Sequence, residues 1–317
     1  IWKFVLLTYY ISISISLIGY RLLVEERPEI TPLEKLAERE VRRDWIGRLS
    51  ISLALSWLLA VLCQAVFVFI ISRLFVDAEL PRIVMMLLFA VYGGLLGFAV
   101  AYFVVWVDDV SLNWLMLSLG IGGLLLSATL ITNPNWFQRS VSALGIDSGS
   151  GTFFNITFIA VGLVTLTLGR DLIADLKLLT ESNLFPARAF DPIRLAITGI
   201  GLGIVGVGLF PTEGIGFSRE LHLLSAYLVT GLCIIGMLGL HLIVPNLYPK
   251  NFVLISRALG TLSVVVILSH FFGPLGFTAM ELILFAIIGA WIFYFRHQTK
   301  QYVRQQIIKA FGAAPVA

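Results

Sequence analysis

Eight ionisable side chains cluster where two loops meet the ends of apolar runs. Arg139 and Asp147 lie in one loop, and Glu213, Arg219, Glu220 and His222 lie in or just after a second. His270 closes an apolar run and Glu281 stands a turn or more into the next. A guanidinium is a planar fork suited to a phosphate, which gives Arg139 a ligand-holding role. An imidazole and a carboxylate can exchange protons with a bound molecule, which makes His222 and Glu281 the catalytic candidates. Asp147, Glu213, Arg219, Glu220 and His270 complete the expected rim. Each residue alone also has a structural reading. Arg139 can neutralise Asp147, the second loop can be a solvated face, and His222 can cap the loop above it. Convergence of so many titratable groups at one depth favours a site.

Other chemistries find little support. A bis-histidine haem needs two histidines at one depth, and His222 and His241 are 19 residues apart on one run, roughly 28 Å along a helix. His222 with His270 is the remaining haem pair, or a zinc pair with a carboxylate. Neither has an attachment motif or metal-ligand spacing, so no cofactor and no metal is the expectation. Cys63 and Cys233 both fall inside apolar runs and form no CxxC pair. A Walker motif, a Gly-x-Ser-x-Gly elbow and a lysine deep in an apolar run are all lacking. The GxGxxG at Gly201, Gly203 and Gly206 has no strand before it, so its glycines are read as helix-packing positions, with Gly199. The net charge of +3 is spread over short loops, which argues against nucleic acid as a partner.

The elements that must position these residues are fixed by solvent. The chain is 58% hydrophobic and 13% charged, with a mean hydropathy of +0.94. A membrane helix needs roughly 20 mostly apolar residues. About nine runs qualify: 2–24, 50–76, 83–107, 110–132, 152–169, 193–210, 221–244, 252–272 and 275–295. They show no alternation of the kind that barrel strands require, so the expected fold is an all-α, polytopic transmembrane helical bundle. The first run is too long for a signal-peptide core of about 7–15 residues, and reads as a span.

Basic residues alternate between loops. The segments 21–48, 170–194 and 250–257 and the tail from Arg296 are rich in them, whereas the intervening loops hold two, one, one and none. The positive-inside rule then places the N-terminus outside, the C-terminus inside and the ionisable cluster on the outer side. The expected organisation is a three-span block over 1–109, a six-span membrane domain over 110–297 and a cytoplasmic tail over 298–317. Within the first block, Thr31-Pro32-Leu33-Glu34 reads as a helix start, and Leu33, Leu36, Ala37, Val41 and Trp45 share a face. An amphipathic helix over 32–45 on the cytoplasmic surface follows.

Four short motifs recur in a known order: Ser142-Ala143-Leu144-Gly145, Phe154-Asn155, Gly208-Leu209-Phe210-Pro211 and His222. In this the region 110–297 resembles the six-helix membrane domain of unknown function 998, which is similar to the wider Frag/DRAM/Sfk-type membrane superfamily. The resemblance implies a six-helix fold with an outward-facing site. It also implies a tilt towards lipid, since eukaryotic relatives of that superfamily are linked to lipid-anchor processing or lipid homeostasis. The expectation is therefore a protein of the plasma membrane whose outer pocket binds or handles a lipid or lipid-like molecule. The alternatives are a non-catalytic accessory subunit, docked to a protein partner through the three-span block, and a transporter.

Overall fold

A computed structural model describes residues 82–106, 109–133, 135–212, 217–244 and 247–311, with the single positions 11, 14, 15, 18, 51 and 54. Apart from those single positions, the expected spans 2–24 and 50–76 lie outside the described residues, as do the amphipathic helix 32–45, Glu213 and the last six residues. Among the described residues there are seven α-helices and no strand. They are α1 (Arg82–Trp106), α2 (Asp109–Leu130), α3 (Gly151–Glu181), α4 (Ala187–Leu209), α5 (Ser218–Ile243), α6 (Lys250–Phe271) and α7 (Phe277–Phe311). Six of these, from α2 to α7, are long and apolar enough to cross a membrane. The chain divides into two compact units, Ile1–Leu115 and Met116–Ala317, with the boundary inside α2.

The second unit is an up-and-down bundle. Its loops after α2, α4 and α6 share one end, here the cap end, and those after α3 and α5 share the other, the tail end. Breaks in the apolar pattern carry recognisable stops. Asn183, with φ of 58°, ends α3 in a left-handed turn, and the Leu184 N–H donates back to the Leu179 carbonyl at 2.8 Å. This Schellman-type closure satisfies a carbonyl the helix would otherwise orphan. Pro186 and Pro249 stand just ahead of α4 and α6, where a missing N–H costs nothing.

α3 and α4 pack backbone to backbone. A Cβ added at Gly162 would lie 2.6 Å from the Val205 nitrogen, and one at Gly208 would lie 2.5 Å from the Asn155 carbonyl oxygen. Glycine is therefore required for the approach, as in other membrane bundles. The reading of the GxGxxG glycines as packing residues agrees with this geometry: Gly203 meets the Ser225 carbonyl of α5 in the same way.

The main core lies towards the tail end, with Leu172, Leu176, Met237, Phe252, Trp291 and Phe295 all buried. Trp291 stacks on Phe295 at 5.2 Å and donates its indole N–H to Ser256 Oγ at 3.1 Å, so its one polar atom is satisfied inside the bundle. A smaller cluster joins Val141 and Leu144 of the connection between α2 and α3 to Phe154 at the start of α3. The outer faces are as apolar as the core. Leu195, Leu202 and Leu209 form an exposed stripe on α4, and Leu224, Leu228, Ile235 and Leu242 form one on α5. Such stripes face hydrocarbon rather than water, and the protein is an integral membrane protein.

Two helices run past the expected spans. α3 continues to Glu181 rather than stopping near 169, and α7 continues to Phe311 where a tail was expected from 298. Hydropathy detects only the lipid-facing part of a helix. The polar extensions are held by partners: Lys300 bonds Asp175 at 2.5 Å and Tyr302 donates to the Leu184 carbonyl at 2.9 Å.

Candidate functional site

The cap is the connection between α2 and α3, folded as two short 3-10 turns, Trp136–Gln138 and Val141–Gly145. Ser140 starts the second turn and accepts the Ala143 N–H on its side-chain oxygen at 3.1 Å. This N-cap fixes where the next two residues point. Val141 donates its backbone N–H to Glu281 Oε2 at 2.5 Å, from 140 residues away in sequence. Ser142 Oγ lies 2.9 Å from His222 Nε2. Consecutive residues of one turn thus meet two different helices, α7 and α5, each at its fifth residue.

His222 is 3% exposed, and both of its ring nitrogens are engaged. Nδ1 lies 2.7 Å from the Phe210 carbonyl oxygen at the end of α4. A carbonyl oxygen only accepts, so Nδ1 carries the proton and a neutral ring presents an unprotonated Nε2 to Ser142. The Ser142 hydroxyl then donates to Nε2. Coordination of a metal through Nε2 would displace Ser142. Among the described residues no group of three His, Cys, Asp or Glu side chains is placed to hold a metal ion.

Asp147 binds its own loop. Its carboxylate accepts from Thr132 N–H at 3.0 Å, Thr132 Oγ1 at 2.5 Å, Gly149 N–H at 2.8 Å and Ser150 N–H at 3.3 Å. Burial acts to raise its pKa, and these four hydrogen bonds overcome that and hold the carboxyl at about 2. Its role is to close the cap against the start of α3. Ser150 Oγ adds a 2.7 Å bond to the Leu144 carbonyl, and Asn155 Nδ2 a 2.9 Å bond to the Gly145 carbonyl. Asn155 Oδ1 is buried and accepts from no protein donor.

The other expected residues are distributed around this frame. Arg139 is exposed on the cap between the two 3-10 turns, and Arg219 and Glu220 are exposed in the first turn of α5. The hydrogen bond of His270 is to its own turn, Nδ1 to the Leu275 carbonyl at 3.0 Å, between the rings of Phe271 and Phe277. The structure thus gathers Glu281 and His222 on one turn and leaves His270 holding the α6–α7 connection. Sequence reasoning named Ser142 only as part of a motif. Nothing in its immediate neighbours marks it, and its significance comes from the fold that brings a histidine to it across 80 residues.

Large aromatic side chains rim the cap end. Phe137, Phe217, Phe271 and Phe272 are exposed, the last at 83%. Phe137 and Phe217 each lie five residues before one of the hydrogen-bonded pair, Ser142 and His222. Phenylalanine has no polar handle, so these exposed rings suit an apolar surrounding such as lipid rather than water. No family model, curated protein or solved structure matches this chain.

Proposed function

We propose that the cap end forms an outward-facing polar site that binds or handles a membrane lipid or lipid-like molecule. The observation that carries this reading is the Val141-Ser142 turn, where a carboxylate and an imidazole meet polar groups inside an exposed aromatic rim. The rim sits at headgroup level and the turn just beneath it, so a lipid can present its head to Arg139 and its ester region to the turn. Arg139 holds a headgroup phosphate as a planar fork. Asn155 Oδ1 offers an acceptor for a hydroxyl near the same turn. The topology that accompanies this reading has about nine spans in the plasma membrane, with the N-terminus outside and the C-terminus inside. The motif resemblance to the domain of unknown function 998 points the same way.

The experiment is native mass spectrometry of the full chain released from nanodiscs of phosphatidylglycerol or phosphatidylcholine. Headgroup-selective retention that falls at least tenfold in Arg139→Ala supports the reading. Equal retention of both lipids, unchanged in the variant, overturns it. A second reading, a non-catalytic accessory subunit, is favoured by one observation: Glu281 and His222 are both partnered by the protein itself. Co-purification of a protein partner at fixed stoichiometry, without lipid selectivity, would support it.

A further inference from the structure

We propose that Ser142 is a nucleophile and His222 its general base, and that the site cleaves an ester-linked acyl chain of a lipid. This rests on the lipid reading above for its substrate and on local geometry for its chemistry. An activated serine needs a base within about 2.6–3.2 Å and a third group that orients the base. Both are present. Ser142 Oγ is 2.9 Å from Nε2, and the Phe210 carbonyl fixes the opposite nitrogen as the protonated one at 2.7 Å. The ring is buried, so water does not compete for Nε2, while Ser142 is only half-buried and open to a reactant. The two 3-10 turns hold Ser142 on a short, capped segment whose preceding N–H is fastened to Glu281. Glu281 is therefore a positioning residue: it bonds the backbone next to the nucleophile and not the nucleophile itself.

The step balances with water as the second reactant. Ser142 Oγ attacks the ester carbonyl carbon and its proton passes to Nε2. The new C–O bond forms while the carbonyl π pair moves onto oxygen. Collapse breaks the bond to the lipid alcohol, which leaves with the proton from Nε2. The acyl group remains on Ser142. A water molecule then gives a proton to Nε2, attacks the same carbon and releases the fatty acid, and the proton returns to Ser142 Oγ. A carbonyl dipole at Nδ1 keeps the tautomer but lacks the charge by which a carboxylate stabilises imidazolium, so turnover is expected to be slow.

The test uses the full chain in nanodiscs and a fluorophosphonate probe, with the labelled residue located by tandem mass spectrometry. Labelling at Ser142 that vanishes in Ser142→Ala and falls at least tenfold in His222→Gln is the expected result. A folded wild-type chain that leaves Ser142 unlabelled overturns the proposal, as does undiminished labelling in His222→Gln. Because His222→Gln can disturb folding, Ser142→Cys gives an independent reading. Its alkylation by iodoacetamide should follow a pH profile with an inflection well below the ordinary thiol value of about 8.5, and an ordinary profile overturns the dyad. Lipid retention measured in Ser142→Ala separates the two claims. Retained selectivity with no labelling sinks the nucleophile alone, and lost selectivity with a reactive Ser142 sinks the lipid reading alone.

Discussion

The two ends of the six-helix unit are each closed by side chains that reach far along the sequence, but they are closed on different terms. At the cap end Glu281 reaches 140 residues to the Val141 N–H, and His222 reaches 80 residues to Ser142. At the tail end Lys300 reaches 125 residues to Asp175, and Tyr248 reaches 51 residues to Thr299. The Tyr248 bond is backed up. Thr299 Oγ1 also donates to the Phe295 carbonyl at 2.8 Å, so losing Tyr248 leaves it satisfied. The cap bond to Val141 fastens a main-chain donor at the start of a 3-10 turn, which has no intrahelical partner of its own. One end is built to tolerate loss and the other to hold one geometry, which is the distinction expected between a structural closure and a working site.

The comparison can be broken most forcefully at the frame beneath both ends. Gly162→Leu should cost about 3 kcal/mol, the upper part of the overpacking range, because the α4 backbone cannot yield to a new side chain; SDS-titrated unfolding that matches wild type would refute the backbone contact. Next is Glu281→Ala, which strands the Val141 N–H at a cost of about 2 kcal/mol, with faster hydrogen exchange confined to the cap. Tyr248→Phe sets the contrast. It should cost about 1 kcal/mol or less, since Thr299 keeps its second partner, and if it cost more than Glu281→Ala the ends would not differ as described.

Smaller again is Lys300→Met. Both members of that pair are partly exposed, at 27% and 31%, and screening leaves less than about 1 kcal/mol. The last effect is one of pH: protonating Asp147 leaves the clasp untouched near neutrality and loosens it only in acid. Its folded pKa of about 2 lies below the ordinary aspartate value of 3.8, so its contribution is fully present above about pH 4 and is lost as pH falls through about 2. Exchange at the Thr132, Gly149 and Ser150 amides should accelerate across that window, and a flat profile would count against the four-bond clasp.

Hydropathy made α2 to α7 legible, because each must bury or face apolar surface for the length of a bilayer. It missed the last turns of α3 and α7 for the same reason: Arg170, Asp171, Asp175 and Lys177 interrupt the first, and Arg296, His297, Gln298, Lys300, Gln301 and Arg304 interrupt the second, where Val303 still packs into the core. The acidic and basic residues at the cap could be named from sequence, but their roles could not. Asp147 looks the same in sequence whether it grips a ligand or its own loop. Ser142 has no local signature, since the base that gives it meaning arrives through the α4–α5 turn.

α7 is 35 residues long, and so about 52 Å at about 1.5 Å per residue, well beyond a hydrocarbon core of about 30 Å. Glu281 and Lys300 stand on this one rod, about 28 Å apart along its axis, which is close to one hydrocarbon thickness. Each is a polar anchor bonded to a different part of the bundle. A thicker bilayer would draw one anchor or the other into oil unless it deforms, and a thinner one would leave apolar turns of the rod in water. Tilt relieves such mismatch for a lone helix, but α7 is tied at both levels, so the lipid must adapt around it. Through this one helix the two closures share a single rod, and a displacement along it reaches the bond that fixes Val141 beside Ser142.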